Sequence, residues 1–117
     1  MRLLLDTCAF LWIVAGSGKM SERARMACAD PDNELFLSSV SAWEIVLKNA
    51  AGKLPLPEPP DRYVPAERIR HGIEPLPLGE DATLQLPKLP GLHRDPFDRM
   101  LVCQAITHAL DIVTPDS

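Results

Sequence analysis

The sequence predicts an α/β fold, a three-layer sandwich in which helices cover both faces of a central, mainly parallel sheet. Short apolar runs without strict alternation recur along the chain, which is typical of parallel strands that are buried on both faces. Stretches with helical character lie between these runs. Strands that alternate with helices are joined by right-handed crossovers, and such connections produce the layered arrangement.

Four segments are predicted strands. Three of them are apolar runs, at residues 3–5, 35–37 and 112–113. The remaining segment, residues 73–78, contains Pro75 and Pro77, which donate no backbone hydrogen bond. We therefore expect this segment at the edge of the sheet or at a bulge.

Six helices are predicted between the strands, and the fourth has the weakest pattern. They cover residues 7–15, 21–29, 41–51, 66–70, 80–86 and 96–110. The last helix has a clear start signal, because Asp95 suits the N-cap and Pro96 suits the first helical position. A length of 117 residues with 46% hydrophobic side chains fits one compact domain over residues 1–117.

Composition excludes several classes of protein. The formal net charge of −4 argues against binding of nucleic acid by bulk electrostatics, so such contacts would need local basic residues or bound cations. No apolar run approaches the roughly 20 residues that cross a bilayer. The run after Arg2 is broken at once by Asp6 and is too short for a signal peptide, so we expect a cytoplasmic protein. The three cysteines lack CxxC spacing, which argues against a disulfide framework or a zinc site.

Two acids directly follow predicted strands. Asp6 ends the first apolar run, and Asp116 follows the last one after Thr114 and Pro115. Either acid could simply cap a helix, because aspartate accepts hydrogen bonds from unpaired amides there. Both are also placed at the carboxyl ends of strands, where α/β folds bind their ligands.

Further acids lie at the predicted starts of two helices. Glu44 follows Ser41 by three residues, which is the pattern of a capping box, and Lys48 could pair with it one turn later. Asp95 and Asp98 flank the start of the last helix, where negative charge compensates the helix dipole. Each acid therefore has a structural explanation of its own.

The combination of acids is harder to explain by capping. In a sandwich of this type Asp6, Glu44, Asp98 and Asp116 can converge at one edge of the sheet. Two carboxylates about 4 Å apart repel by roughly 4 kcal/mol at an effective dielectric constant near 20. Such a cluster either raises its pKa values or binds a hard divalent cation, and oxygen ligands favour magnesium or manganese.

The sequence resembles a known family, the PIN-domain ribonucleases, and among them the VapC-type toxins of bacterial type II toxin-antitoxin systems. Four segments carry the resemblance, in the family's order: LLLDT at 3–7, SSVSAWEI at 38–45, HRDPFDRMLV at 93–102 and VTPD at 113–116. The resemblance implies a PIN-like sheet sandwich and a Mg²⁺ site, with Mn²⁺ as a substitute. Its ligands and catalytic residues would be Asp6, Glu44, Asp98 and Asp116.

The resemblance also assigns secondary roles. Asp98 matches the third acid of the family because it directly precedes the apolar part of its helix, and Asp95 is a second candidate. Thr7 and Thr114 are polar neighbours of the site. Arg94 and Arg99 are candidate contacts to substrate phosphates or to an acidic inhibitor segment, although a solvated surface role fits them equally.

The implied activity is endonucleolytic hydrolysis of RNA. A water activated at the metal would attack phosphorus in line, leaving a 5′-phosphate and a 3′-hydroxyl. The implied partners are the RNA substrate, a cognate antitoxin and a second copy of the chain. Phe10, Trp12 and Trp43 are candidate anchors at such interfaces, although helical aromatics are more often core residues.

Two alternatives belong to other functional classes. One is a catalytically silent binding module of the same fold that acts only through its antitoxin. The other is an aspartyl-phosphate phosphatase with Asp6 as nucleophile, but that chemistry expects a second aspartate where the chain has Cys8. A Cys8 hydrolase using His93 or His108 has still less support, because nothing in the sequence brings these residues together.

Two features depart from the family pattern. Cys8 stands where similar sequences often carry histidine. The sequence also ends at Ser117, directly after the fourth acid, whereas related proteins continue for another strand. We therefore expect either a shortened chain or a sheet without its last edge strand, and in the second case a loosely held Asp116 loop.

Overall fold

The computed structural model describes residues 1–91 and 95–117. The elements, in chain order, are β1 (Arg2–Leu5), α1 (Thr7–Val14), α2 (Glu22–Ala29), β2 (Glu34–Ser38), α3 (Ser39–Ala50), α4 (Pro60–Arg70), β3 (Ile73–Leu76), α5 (Glu80–Thr83), a 3₁₀ helix (Leu86–Lys88), α6 (Pro96–His108) and β4 (Asp111–Val113). The order of strands and helices agrees with the sequence prediction. None of the described helices combines the length and apolar character needed to span a bilayer.

All four strands form one parallel sheet in the order β3-β2-β1-β4. In chain order, β2 lies beside β1 and β3 lies beside β2, whereas β4 lies on the other side of β1. The strand order therefore reverses between β1 and β4. Ligands of open α/β sheets bind at the carboxyl ends of the strands beside such a reversal.

Helices cover the sheet on both faces, which confirms the three-layer sandwich. Leu3 and Leu5 point into a core shared with α1 and α4, whereas Leu4 packs on the other face among residues of α6 such as Leu101. All three leucines of β1 are at most 3% exposed. Burial on both faces explains why the run is apolar at successive positions rather than at alternate ones.

The strand with prolines lies at an edge, as predicted. Among the described residues β3 pairs with β2 alone, and Pro75 stands opposite Leu37. An edge strand needs hydrogen bonds on one side only, so a residue without an N–H group is tolerated there.

The fourth helix is longer than the sequence predicted. It begins at Pro60, six residues before the predicted start at residue 66, and it includes Pro65. Proline inside a helix removes a backbone hydrogen bond, which is why the pattern appeared weak. Tyr63 and Val64 are buried in the core, and this tertiary packing offsets the poor local propensity.

The predicted start of the third helix is wrong by two residues. α3 begins at Ser39, and Ser38 is its N-cap, accepting a hydrogen bond from the Val40 amide. Ser41 is fully buried within the helix, so it forms no capping box with Glu44. Glu44 consequently lies in the second turn of α3 and has no capping role.

The start of α6 is as predicted. The Asp95 side chain accepts a hydrogen bond from the Phe97 amide at 2.9 Å, and Pro96 occupies the first helical position. The helix ends at Ala109 in a left-handed conformation, with φ at 54° and ψ at 53°. Glycine usually occupies such a position because it has no Cβ.

Candidate active site

Asp6 lies at the carboxyl end of β1, beside the reversal of strand order. Its backbone amide donates to the carbonyl of Val113 at 3.0 Å, which ties it to the end of β4. Its carboxylate also accepts a hydrogen bond from the Ala9 amide at 2.7 Å and so caps α1. The capping role and the placement predicted for an active-site acid are therefore both present in one residue.

A cavity of about 190 Å³ opens next to Asp6. Asp6, Asp98 and Thr114 contribute polar side chains to its lining, together with apolar walls formed by α6 and β4. The apolar lining residues are Leu101, Val102 and Ile112. The structure therefore brings the first and third predicted acids, and the predicted polar neighbour Thr114, to a single cavity.

Electrostatics at Asp6 reveal a cluster of negative charge. Burial raises the pKa of Asp6 above its ordinary value of 3.8, while the hydrogen bond from Ala9 lowers it. The charges on Asp98, Glu44 and Asp116 raise the pKa further, in that order of size. All three of the other predicted acids are therefore close enough to repel the Asp6 carboxylate.

Glu44 approaches the site from α3 and is only 5% exposed. One carboxylate oxygen lies 2.7 Å from the hydroxyl of Thr7, and the other contacts the ammonium group of Lys48. Each oxygen of this buried carboxylate thus has a partner, as burial of a charge requires. The hydrogen bond to Glu44 is also the main cause of the raised pKa of Lys48.

Thr7 connects α1 to α3 through a chain of buried hydroxyl groups. Its oxygen lies 2.9 Å from that of Ser41 and 2.7 Å from Glu44. A carboxylate can only accept, so the single Thr7 proton goes to Glu44 and the Ser41 hydroxyl donates to Thr7. Thr7 therefore acts on the site by holding Glu44 in place.

The loop that carries Asp116 is held more firmly than expected. Ser21, the N-cap of α2, donates from its amide to Pro115 at 2.8 Å and from its hydroxyl to the carbonyl of Ser117 at 2.6 Å. The Thr114 amide also donates to the hydroxyl of Ser117 at 2.9 Å. The loose Asp116 loop expected for a sheet without its last edge strand is therefore not observed, because the N-cap of α2 supplies contacts that the sequence pattern does not reveal. Asp116 itself is exposed.

The other predicted acids and arginines differ in their position relative to the cavity beside Asp6. Asp95 is exposed and caps α6, and Asp98, not Asp95, lines the cavity beside Asp6. Arg99 donates to the carbonyl of Pro90 at 3.1 Å and lines a separate groove. Arg94 lies outside the described residues.

The donor chemistry fits a hard divalent cation, because the clustered side chains offer carboxylate oxygens that repel one another at Asp6. Within residues 1–91 and 95–117, however, no three His, Cys, Asp or Glu side chains are arranged to hold one metal ion. Glu44 is instead engaged by Lys48 and Thr7. The assignment of Asp6, Glu44, Asp98 and Asp116 as ligands therefore stays a prediction.

Sequence reasoning missed two residues that shape the site. The sequence pattern predicts a capping role for Ser41, yet this residue is buried and its hydroxyl bonds that of Thr7. Ser21 had no predicted role, although a serine before an amphipathic segment is a recognisable cap signal. Its second role, hydrogen bonding to the loop that carries Asp116, has no signal in the local sequence.

Among the candidate interface aromatics, Phe10 is fully buried and Trp12 packs partly against the core. Trp43 is 58% exposed and makes an edge-on contact with Phe97, with ring centroids 5.0 Å apart. Trp43 alone among the three therefore offers substantial aromatic surface to a partner.

A known protein with a similar sequence supports the expected family. One relative, Ribonuclease VapC16 of Mycobacterium tuberculosis, is 46% identical over 52 residues, which cover 44% of this chain. The match spans only 37% of the length of that relative.

Solved structures share the fold. VapBC2 from Rickettsia felis, bound to a DNA fragment from its promoter, superposes with a TM-score of 0.68 at 14% identity, covering 97% of this chain and 87% of that chain. VapBC-1 from nontypeable Haemophilus influenzae gives a TM-score of 0.63 at 18% identity, with 96% and 84% covered. DNA-bound VapBC from Salmonella typhimurium gives 0.60 at 19% identity, with 94% and 83% covered.

These structural similarities agree with the three-layer parallel sheet. The family model of the PIN domain matches residues 3–117, nearly the whole chain. The chain therefore belongs to the PIN-domain family.

Proposed function

We propose that the chain is a metal-dependent endoribonuclease, the toxin component of a type II toxin-antitoxin system. The observation that carries the proposal is the placement of Asp6 and Asp98 in one cavity at the reversal of strand order. The raised pKa of Asp6 shows that burial and neighbouring carboxylates disfavour its charge. Acids in a cleft whose pKa is perturbed by burial and by neighbouring charges are typical of functional sites. Membership of the PIN family and similarity to Ribonuclease VapC16 support the reaction class.

Mg²⁺ is the proposed cofactor, and Mn²⁺ is expected to substitute for it. Asp6 and Asp98 would hold the ion, with Glu44 and Asp116 bound directly or through water. When bound, the ion supplies charge neutralisation at the phosphate and lowers the pKa of water at the site. It would also relieve the repulsion that the Asp6 carboxylate experiences.

The chain's own residues orient the reactants. A carboxylate beside the attacking water can accept its proton, and Glu44 suits this task because Thr7 fixes its position. The net charge of −4 gives the chain no general attraction for RNA. Arg99 is the proposed phosphate contact among the described residues, and Arg94 is a second candidate. We expect products with a 5′-phosphate and a 3′-hydroxyl.

An antitoxin is the proposed protein partner, because the similar solved structures are VapBC complexes. We also propose a homodimer and a cytoplasmic location. The exposed ring of Trp43 is available to either kind of interface. The alternative of a catalytically silent module is distinguished by the assay below, whereas the PIN family match gives no support to the phosphatase alternative.

Cleavage of RNA by the purified chain tests the proposal. End-labelled single-stranded RNA is incubated with the wild type or with Asp6→Asn, in Mg²⁺ or in EDTA. Asparagine still caps α1, so the variant removes the charge and leaves the helix intact. Asp61→Asn, an exposed acid on α4, is the matched control and should cleave normally. Metal-independent cleavage, or equal cleavage by wild type and Asp6→Asn, would refute the proposal.

A further inference from the structure

Lys48 carries a positive charge beside the proposed site for a divalent cation, where such a charge would repel the ion. Its ammonium group contacts one oxygen of Glu44, a predicted metal ligand. The two side chains differ in environment, because that of Glu44 is 7% exposed and that of Lys48 is 49% exposed. The lysine can therefore move into solvent, whereas the glutamate is fixed.

Each oxygen of the Glu44 carboxylate has a hydrogen-bonding partner in this arrangement. Thr7 donates to one oxygen and Lys48 to the other. Hydrogen bonding to Thr7 is compatible with metal coordination, since each carboxylate oxygen has more than one lone pair. The ammonium charge is not compatible, because it repels a divalent ion twice as strongly as it repels a monovalent one at the same distance.

We propose that Lys48 is a built-in counter-ion that neutralises Glu44 in the metal-free protein and competes with the divalent metal for it. This inference rests on the proposed function and adds a determinant of metal affinity. Lys48 is thus a positioning residue, and the metal concentration needed to fill the site depends on its displacement.

An ordinary helix-surface ion pair one turn apart would look similar, and it would have no effect on metal binding. The two explanations differ in the sign of one measurable change. Removing the lysine should tighten metal binding if Lys48 competes for Glu44. It should leave metal affinity unchanged if the pair only supports α3.

Calorimetric titration with Mn²⁺ measures the metal affinity and so distinguishes a competing Lys48 from an ordinary helix-surface ion pair. Lys48→Gln is expected to bind Mn²⁺ about fivefold more tightly than the wild type, since ion pairs with solvent access contribute up to about 1 kcal/mol. Lys53→Gln is the matched control, because it removes the same charge from an exposed position just beyond α3. Its affinity should stay within about 1.5-fold of the wild type, since solvent screening weakens the effect of an exposed surface charge.

Two more variants test the mechanism. Lys48→Arg keeps the charge and should bind Mn²⁺ no more tightly than the wild type. In a Glu44→Gln background the contested ligand is gone, so adding Lys48→Gln should no longer tighten binding. Circular dichroism confirms that each variant is folded before titration.

The outcomes also separate this inference from the proposed function. Equal affinities for wild type, Lys48→Gln and Lys53→Gln, or weaker binding by Lys48→Gln, would overturn the role of Lys48. If the wild type still cleaves RNA with Mn²⁺, the proposed function survives that result. A wild type that binds no Mn²⁺ and cleaves no RNA would overturn both.

Discussion

Thr7→Val is a sharp test of how the site is built, because valine keeps the shape of threonine and loses only its hydroxyl group. The change removes the donor to Glu44 and the acceptor for Ser41, both of which are buried. A hydrogen bond to a charged group contributes about 1.5–3 kcal/mol and a neutral one about 1 kcal/mol. Glu44 retains its contact with Lys48, so we expect a net loss of about 2–3 kcal/mol in unfolding free energy. For a chain of this size the melting temperature should fall by about 8–12 °C.

The same substitution should reduce RNA cleavage, since it frees the Glu44 carboxylate to leave its position. Loss of a group that orients a metal ligand typically costs about 10–100-fold in activity or metal affinity. Urea unfolding measures the stability, and initial rates with Mg²⁺ measure the activity. Thr7→Ser keeps the hydroxyl and should retain most of both. A Thr7→Val protein with wild-type stability and rate would refute the positioning role, and an equal loss in Thr7→Ser would assign the effect to the methyl group.

Three further substitutions test the surroundings of the site. Ser21→Ala should destabilise the chain by about 1 kcal/mol through the lost cap of α2, and it should raise the Mg²⁺ concentration for half-maximal cleavage by loosening the Asp116 loop; an unchanged Mg²⁺ requirement would contradict that link. Ala109→Gly should stabilise the chain by about 0.5–1 kcal/mol in urea unfolding, because glycine tolerates the left-handed end of α6; a loss of stability would show that the conformation is not strained. Gln104→Leu should cost about 1–3 kcal/mol, because the buried amide bonds the Ser38 hydroxyl and the carbonyl of Pro77; wild-type stability would show that these partners find other hydrogen bonds.

The parts of the fold that were predictable have local causes. The leucine run of β1 indicates a doubly buried strand wherever it occurs, and Asp95 with Pro96 marks a helix start within two residues. Pro65 gave the opposite local signal for α4, which forms because Tyr63 and Val64 are buried in the core. Propensity reports only the local preference, and packing can override it.

In the site, too, residues with a local sequence signal were predictable, and residues whose role depends on long-range contacts were not. Asp6 and Asp98 were predictable, since one follows a strand and the other lies in the first turn of a well-marked helix. The role of Ser41 was not, because Ser-x-x-Glu is the pattern of a capping box and only the fold shows that this serine is buried against Thr7. Contacts between α1 and α3 join residues more than thirty positions apart, and no local pattern reports them.

We propose that the clustered carboxylates at Asp6 repel one another and that a divalent cation relieves the repulsion. Thermal unfolding of the wild type and Asp6→Asn, each in EDTA and in excess Mg²⁺, tests it most directly. The folded state raises the pKa of Asp6, so its charge costs stability at neutral pH, and this cost disappears as the pH falls below the ordinary value of 3.8.

In EDTA at neutral pH, Asp6→Asn should therefore be the more stable protein, with an advantage that shrinks on acidification. Excess Mg²⁺ should raise the melting temperature of the wild type and leave that of Asp6→Asn nearly unchanged, because ligands stabilise only a state that binds them. A wild type that is insensitive to Mg²⁺, together with an Asp6→Asn variant less stable than the wild type in EDTA, would contradict the account.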